Sequence, residues 1–142
     1  MYTILDIADY IIQSSNEKHI GMSNLKLQAV LYFLQAEFLV RKNEVCFKEK
    51  IEAWSFGPVV RSIYEKYIGF GGGSIILVKK KDFEIKKEDK KIIDNILEDL
   101  DEYSASALSK IIRNQDPWIK AYKKEEKSEI TLEELRNFFK ED

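Results

Sequence analysis

Histidine and cysteine are the side chains most readily recruited for nucleophilic, acid–base or metal chemistry near neutral pH. This 142-residue sequence has one of each, His19 and Cys46. One histidine and one cysteine cannot assemble a zinc site with its ordinary ligands inside a single chain. A Cys–His nucleophile pair needs the two in contact, but they flank a helix-patterned stretch. About 25 residues at 1.5 Å each hold them tens of ångströms apart. His19 therefore reads as a loop histidine and Cys46 as a half-buried thiol. A serine triad would have only His19 as base, and no G-x-S-x-G string occurs. Gly69, Gly71 and Ser74 lack the third glycine of a dinucleotide loop, follow a helix rather than a strand, and precede no Gly-Lys-Ser/Thr. The carboxylates are plentiful, but their spacing puts them on exposed helix faces. The residues thus predict no catalytic site, no cofactor and no metal, and the reading is of a protein that is not an enzyme.

Nucleic-acid binding fares little better. The run Lys79–Lys91 holds seven lysines against four acids, a net +3 (7 − 4), interrupted by one aromatic, Phe83. The interleaved acids would repel phosphates, and no Arg- or Asn-rich recognition helix is present. The run reads as a solvated, mobile loop. A net charge of −2 gives no general affinity for polyanions. With 44% hydrophobic and 34% charged residues the composition is that of a globular protein. A lone cysteine fits a reducing compartment, no apolar run reaches membrane-span length, and the N-terminus lacks a basic signal region. A cytoplasmic location is expected, without membrane contact.

The elements that must carry any function centre on Met22–Phe38. Ser23 is an N-cap, and Leu27, Val30, Leu31, Leu34 and Phe38 recur at helical spacing. Leu25, Tyr32, Phe33 and Leu39 widen the apolar face beyond what a surface helix needs, so neighbours must cover this helix on more than one side. Before it, Thr3 caps a helix through about Ser14, striped with Ile4, Ile7, Ala8 and Ile11. After it, Lys48–Phe56 reads as an extended segment or small edge strand. Gly57-Pro58 then opens a helix with proline at its first position and Val59, Val60, Ile63, Tyr64 and Tyr67 inward. Gly69–Ser74 is flexible, and Ile75–Val78 is a short strand that could pair near Trp54. Ile92–Leu100 is an amphipathic helix whose outer face, Asp94–Glu102, holds five acids and no base, against the helix dipole. Ser104 caps a helix with Leu108, Ile111 and Ile112 inward. Asp116-Pro117 repeats the cap-then-proline signal ahead of Trp118–Tyr122. A charged linker, Lys123–Glu129, leads to a last helix with Thr131 and Glu134 as capping box and Leu132, Leu135, Phe138 and Phe139 inward. The expected architecture over residues 1–142 is one mainly α, compact helical bundle around a central helix, with at most a two-stranded β-ribbon.

The aromatics Trp54, Phe56, Tyr64, Tyr67 and Trp118 gather around the two proline turns. They close the core, or anchor a partner where part-exposed, as Trp and Tyr do at interfaces. Candidate contact residues are Lys26, Trp54, Phe56, Arg61, Tyr64 and Trp118.

Three strings resemble a known family in this order and spacing: L-K-L-Q-x-x-L-Y-F at Leu25–Phe33, E-A-W-x-x-G-P-V at Glu52–Val59, and D-P-W at Asp116–Trp118. Together they resemble the Panacea domain family, of SocA-like antitoxins and phage-associated GepA-like proteins. The resemblance spans nearly the whole chain. It implies an antitoxin that neutralises a cognate toxin protein by direct binding, with no catalytic residues and with motif residues that mainly hold the fold. It also implies an alternative, a prophage or mobile-element protein that acts as an adaptor or modulator of a host protein, for instance delivering it to a protease. Where the family often has a histidine before the D-P-W turn, this chain has Arg113-Asn114-Gln115. Any role of that histidine is absent here.

Overall fold

A computed structural model describes residues 1–77 and 79–140. The chain runs α1 (Ile4–Glu17), α2 (Asn24–Lys42), β1 (Ile51–Trp54), β2 (Gly57–Val59), α3 (Arg61–Lys66), α4 (Lys87–Leu100), α5 (Ala105–Arg113), α6 (Asp116–Lys124), β3 (Glu129–Ile130) and α7 (Leu132–Phe139). It is mainly α and compact, with a small antiparallel sheet in the order β2-β1-β3. The side chains of Thr3, Ser23, Ser104 and Thr131 each accept a hydrogen bond from the backbone N–H three residues on, as their positions predict. Only half of the last capping box forms: Glu134 turns to Lys120 at 3.3 Å.

α2 is the central helix. Leu27, Val30, Leu31, Leu34 and Phe38 are buried, and so are Ala29, Tyr32, Ala36 and Leu39. It packs against α1, α3, α4, α5, α7 and β2, and it ends at Asn43 in the left-handed conformation, φ 54°. α4 runs antiparallel to it. Lys26 near the start of α2 reaches the Asp101 carbonyl just past α4, while Lys42 at its end reaches Asp89 in the first turn of α4.

Several expectations are corrected. Pro58 does not start a helix; it lies in β2 opposite Ala53, in a hairpin whose turn is Ser55-Phe56. β2 is an edge strand, where a missing N–H costs no ladder bond. Gly57 has φ +140°, and the Ser109 hydroxyl donates to the Phe56 carbonyl beside it. A Cβ on Gly57 would stand 3.0 Å from Ser109 Oγ, so glycine permits both the backbone angle and the close approach of α5. β1 is the central strand, not an edge. Its second partner is β3, inside the expected charged linker, so the ribbon has three strands rather than two. Within 75–78, Val78 lies outside the described residues; Ile75 donates its N–H to Met22, and Ser74 bridges Ser23, so this segment pairs beside α2 and not with Trp54.

The lysine-rich run is not simply solvated. Phe83 and Ile85 are buried, and α4 begins at Lys87, with Glu88 and Asp89 in its first turn. Asp94 is half-buried and accepts from the hydroxyls of Tyr10 at 3.0 Å and Ser14 at 3.3 Å. Ile111, Leu132 and Phe138 are about two-fifths exposed instead of facing inward, because α5 and α7 are short and each presents one narrow stripe to the core. Asp116 is the first residue of α6 and not its cap; Gln115 holds that position without a capping bond.

Buried polar side chains tie irregular segments to the helices. Gln35 accepts from the Cys46 N–H and donates to the Phe47 carbonyl, both at 2.8 Å. Gln28 accepts from the Val60 N–H at 2.8 Å and donates to Asn24, which donates to the Tyr64 carbonyl at 2.9 Å. Asp89 accepts from Lys42 at 2.6 Å and Tyr2 at 2.5 Å. Burial opposes its ionisation, but the Lys42 and Tyr2 hydrogen bonds and the Lys42 charge together outweigh burial and hold the carboxyl below its ordinary value.

Gln35→Leu strands one backbone donor and one acceptor in the core. It is expected to lower unfolding free energy by about 2–4 kcal/mol in urea titrations, at about 1–3 kcal/mol per orphaned group, whereas an exposed control such as Lys48→Gln moves it little. A loss no larger than the control's would refute the tie.

A second prediction concerns pH. Because the folded Asp89 pKa is depressed, its stabilisation is present above the unfolded value near 3.9 and disappears as pH falls through the lower folded value. Asp89→Asn should cost about 3 kcal/mol at pH 7, leaving Lys42 without its buried partner. The gap from wild type should narrow below about pH 4. A gap independent of pH would show that the charge of Asp89 contributes nothing.

Candidate partner-binding surface

The hairpin and the start of α3 gather four of the six expected contact residues. Alternation along β1 turns Trp54 to the half-buried face of the sheet, and the tight turn returns Phe56 beside it. Arg61 and Tyr64, one helical turn apart, project from α3 onto the same place. The ring centroids of Trp54 and Tyr64 lie 5.3 Å apart, Trp54 and Phe56 5.9 Å, and Phe56 and Tyr64 5.7 Å. All three rings are half-buried and Arg61 is exposed. Each ring therefore keeps part of its area on solvent while its neighbours restrain it.

Charge frames the cluster. The Arg61 guanidinium stands 5.3 Å from the Trp54 ring centroid and the Lys127 ammonium 4.4 Å, both in cation–π range. Glu52 Oε1 accepts from Trp54 Nε1 at 2.8 Å and from Arg61 at 2.9 Å, fixing both side chains. Lys127 is presented by a left-handed residue, φ 70°, whose N–H donates to the Ala53 carbonyl at 2.7 Å. On the far side Phe56 and Tyr64 border a shallow cleft of about 230 Å³ with Leu25 and Ile68; Ile68 is 57% exposed. The patch is thus aromatic at its centre, cationic at one rim and aliphatic at the other.

The remaining two candidates lie elsewhere. Lys26 is buried, and its ammonium donates to the Asp101 carbonyl at 3.3 Å, supplying the cation that the C-terminal end of α4 lacks. Trp118 stacks on Tyr122 at 4.5 Å, and its Nε1 donates to the Trp54 carbonyl at 3.0 Å, so it holds the strand that carries the patch. Glu52 and Lys127 were not among the expected residues. Glu52 was legible, since it shares a strand face with Trp54 two residues on. Lys127 was not: it reaches Trp54 only because β3 pairs with β1.

The two side chains most suited to chemistry do not meet. Cys46 is buried beyond the end of α2, where burial foremost, and the Asp89 charge next, push its thiol up to about 12. Its nucleophilic thiolate is negligible near pH 7. His19 borders a cleft with Gln13, Asn16 and Leu77 at the other end of α2. Among the described residues no group of three or more His, Cys, Asp or Glu side chains could hold a metal ion, and no helix is long and apolar enough to cross a membrane.

Fold and surface define a small helical domain in which a three-stranded sheet displays a framed aromatic patch. The chain belongs to the family described as antitoxin SocA-like, Panacea domain, whose model matches residues 27–119. It is similar to Antitoxin SocA of Caulobacter vibrioides (strain NA1000 / CB15N), at 36% identity over 70 residues. That match covers 49% of this chain and 37% of the relative, so the chain spans well under half of the curated protein it matches. No solved structure matches.

The Trp118–Trp54 bond yields a third prediction. Trp118→Phe keeps a ring but removes the donor, and should cost about 1 kcal/mol of unfolding free energy. Trp54 is then the sole tryptophan, and its emission should shift to the red as β1 loosens. An unshifted spectrum with unchanged stability would show that Trp118 does not position the patch.

Proposed function

We propose that the protein is a cytoplasmic antitoxin that neutralises a cognate toxin by direct protein contact, without catalysis, and that residues 1–142 act as one domain. The observation that carries this reading is the family match over residues 27–119, which includes the whole of the Trp54–Phe56–Arg61–Tyr64 cluster. The relative's name, an antitoxin, points the same way. In this reading Trp54, Phe56, Arg61 and Tyr64 form the contact surface. Trp118 serves it by holding β1, while Lys26, apart from the patch, holds the end of α4. Part-exposed aromatic rings restrained by neighbours lose little side-chain entropy on docking, which is the physical basis of aromatic hot spots. The fraction of the relative left unmatched bears on any further role such as delivery of a toxin to a protease, and nothing in the cluster favours that role over simple blocking.

The test is growth of cells carrying the adjacent reading frame alone or together with this gene. The adjacent product should arrest growth, this protein should restore it, and the two should co-purify. Phe56→Ser combined with Tyr64→Ser should weaken the complex at least about 30-fold, on the order of 2 kcal/mol for hot-spot rings, while the variant stays folded by circular dichroism. A harmless neighbour would sink the antitoxin reading. Full rescue by the folded double variant would sink the surface alone.

A further inference from the structure

The C-terminal end of α4 is charged against its own dipole. Glu98 and Asp99 lie in its last turn with Asp101 and Glu102 just beyond; all four are exposed, and the turn has no base. Carboxylates at the negative end of a helix are unfavourable; Arg41 and Lys42 close α2 and Lys123 and Lys124 close α6, whereas α1, like α4, has no base in its last turn. Among the described residues none of the four carboxylates lies in an ion pair, and Lys26 satisfies only the Asp101 backbone carbonyl. Beyond the one carbonyl that Lys26 answers, the four exposed carboxylates leave a local surplus of negative charge at this end of α4.

Asp99 also forms one wall of a groove of about 450 Å³ between the antiparallel helices α2 and α4. Its floor is apolar: Phe33 and Val40, two turns apart on α2, face Ile96 and Leu100, one turn apart on α4, and Phe139 closes it from α7. Val40 is 38% exposed, and the other four are half-buried. On the α2 wall Glu37 and Arg41 neutralise each other at 2.9 Å, so the uncompensated charge is all on the α4 side and negative. A furrow between two helices, apolar along its floor for two turns, accepts a third helix through anchors at i, i+3 or i+4, and i+7. The unpaired Asp99 carboxylate on one wall, with Glu98, Asp101 and Glu102 exposed next to it in the chain, favours lysine or arginine on that helix's flank.

We infer that the α2–α4 groove receives a basic amphipathic helix of the toxin, as an anchor built on other elements than the aromatic patch. The owner of the helix rests on the antitoxin reading above; the chemistry of the groove does not.

The first arm of the test uses the full chain and a synthetic helix of leucine and lysine, about four turns long, read by fluorescence anisotropy. A leucine–glutamate helix is the control. Wild type should bind the lysine helix and not the glutamate one. Asp99→Lys with Glu102→Lys, and separately Val40→Gln, should each weaken binding at least about tenfold, the effect of the charge variant fading at high salt. These positions are exposed, so melting temperatures should stay near wild type. The second arm asks whether the same variants lose the complex with the adjacent reading frame's product and its growth rescue, as expected. If charge reversal matters but Val40→Gln does not, the peptide merely adsorbs on acid and the inference is overturned. If both variants lose the peptide yet keep the toxin complex, the toxin docks elsewhere; the inference falls while the antitoxin reading stands. A neighbour that is harmless and unbound by wild type removes the reading itself, and the toxin helix with it, before any variant is compared.

Discussion

The fold depends on two buried carboxamides seven residues apart on the central helix. Gln28 and Gln35 face regions where the chain has no regular partner for its backbone: Val60 between β2 and α3, and Cys46-Phe47 after α2. A buried backbone N–H or C=O without a partner costs more than a typical hydrogen bond contributes, so loops that cross a core need something to bond to. A carboxamide suits the task because it carries both N–H donors and a carbonyl acceptor, the same kinds of group as a peptide unit. The helix therefore acts toward these loops as a strand would toward its neighbour, while its leucines and aromatics provide the apolar contact.

This casts the three family strings in physical terms. Gln28, in the first, accepts from Val60, which follows directly on the second. Tyr32, also in the first, donates its hydroxyl to Gln115 at 2.7 Å, immediately before the third. Trp118 in the third donates to the backbone of Trp54 in the second. Three strings scattered over the sequence thus close a ring of hydrogen bonds around α2. Gln115 accepts from Tyr32 with an uncharged amide. Residues in and beside the motifs thus tie the fold through specific bonds as well as through apolar packing.

What was legible in the sequence follows from range. Thr3, Ser23, Ser104 and Thr131 act within one helical turn of themselves, and each caps the helix it was expected to cap. The apolar faces of α1 and α2 are long enough for periodicity to settle them. Pro58 misleads because its local preference fits a first helical turn and an edge strand equally well. The choice is made by Ser109, fifty-one residues on, whose hydroxyl donates to the Phe56 carbonyl and crowds any side chain at Gly57. The third strand is two residues long, below what alternation can register, and only β1 reveals it. Likewise Phe83 and Ile85 sit among lysines and acids whose count suggests a solvated loop; two apolar residues at strand spacing were the sole sign of a buried segment.

The same distinction separates the lysines. Composition treats Lys26, Lys42, Lys81 and Lys127 alike, yet their surroundings give them four tasks: closing the end of α4, neutralising buried Asp89, meeting buried Asp9 at 2.9 Å, and covering Trp54. Lys42 and Lys81 neutralise carboxylates whose burial would otherwise destabilise the fold, and Lys26 answers a carbonyl at the negative end of α4. Lys127 satisfies nothing buried; it stands over an aromatic ring that is still half on solvent, beside an Arg61 that does the same. A cation in that place contributes little to folding and is free to be displaced or shared when another surface arrives. Charges that answer a burial need belong to the fold. Those that answer none, at the aromatic patch and among the exposed carboxylates at the end of α4, are the charges on which the proposed contacts rest.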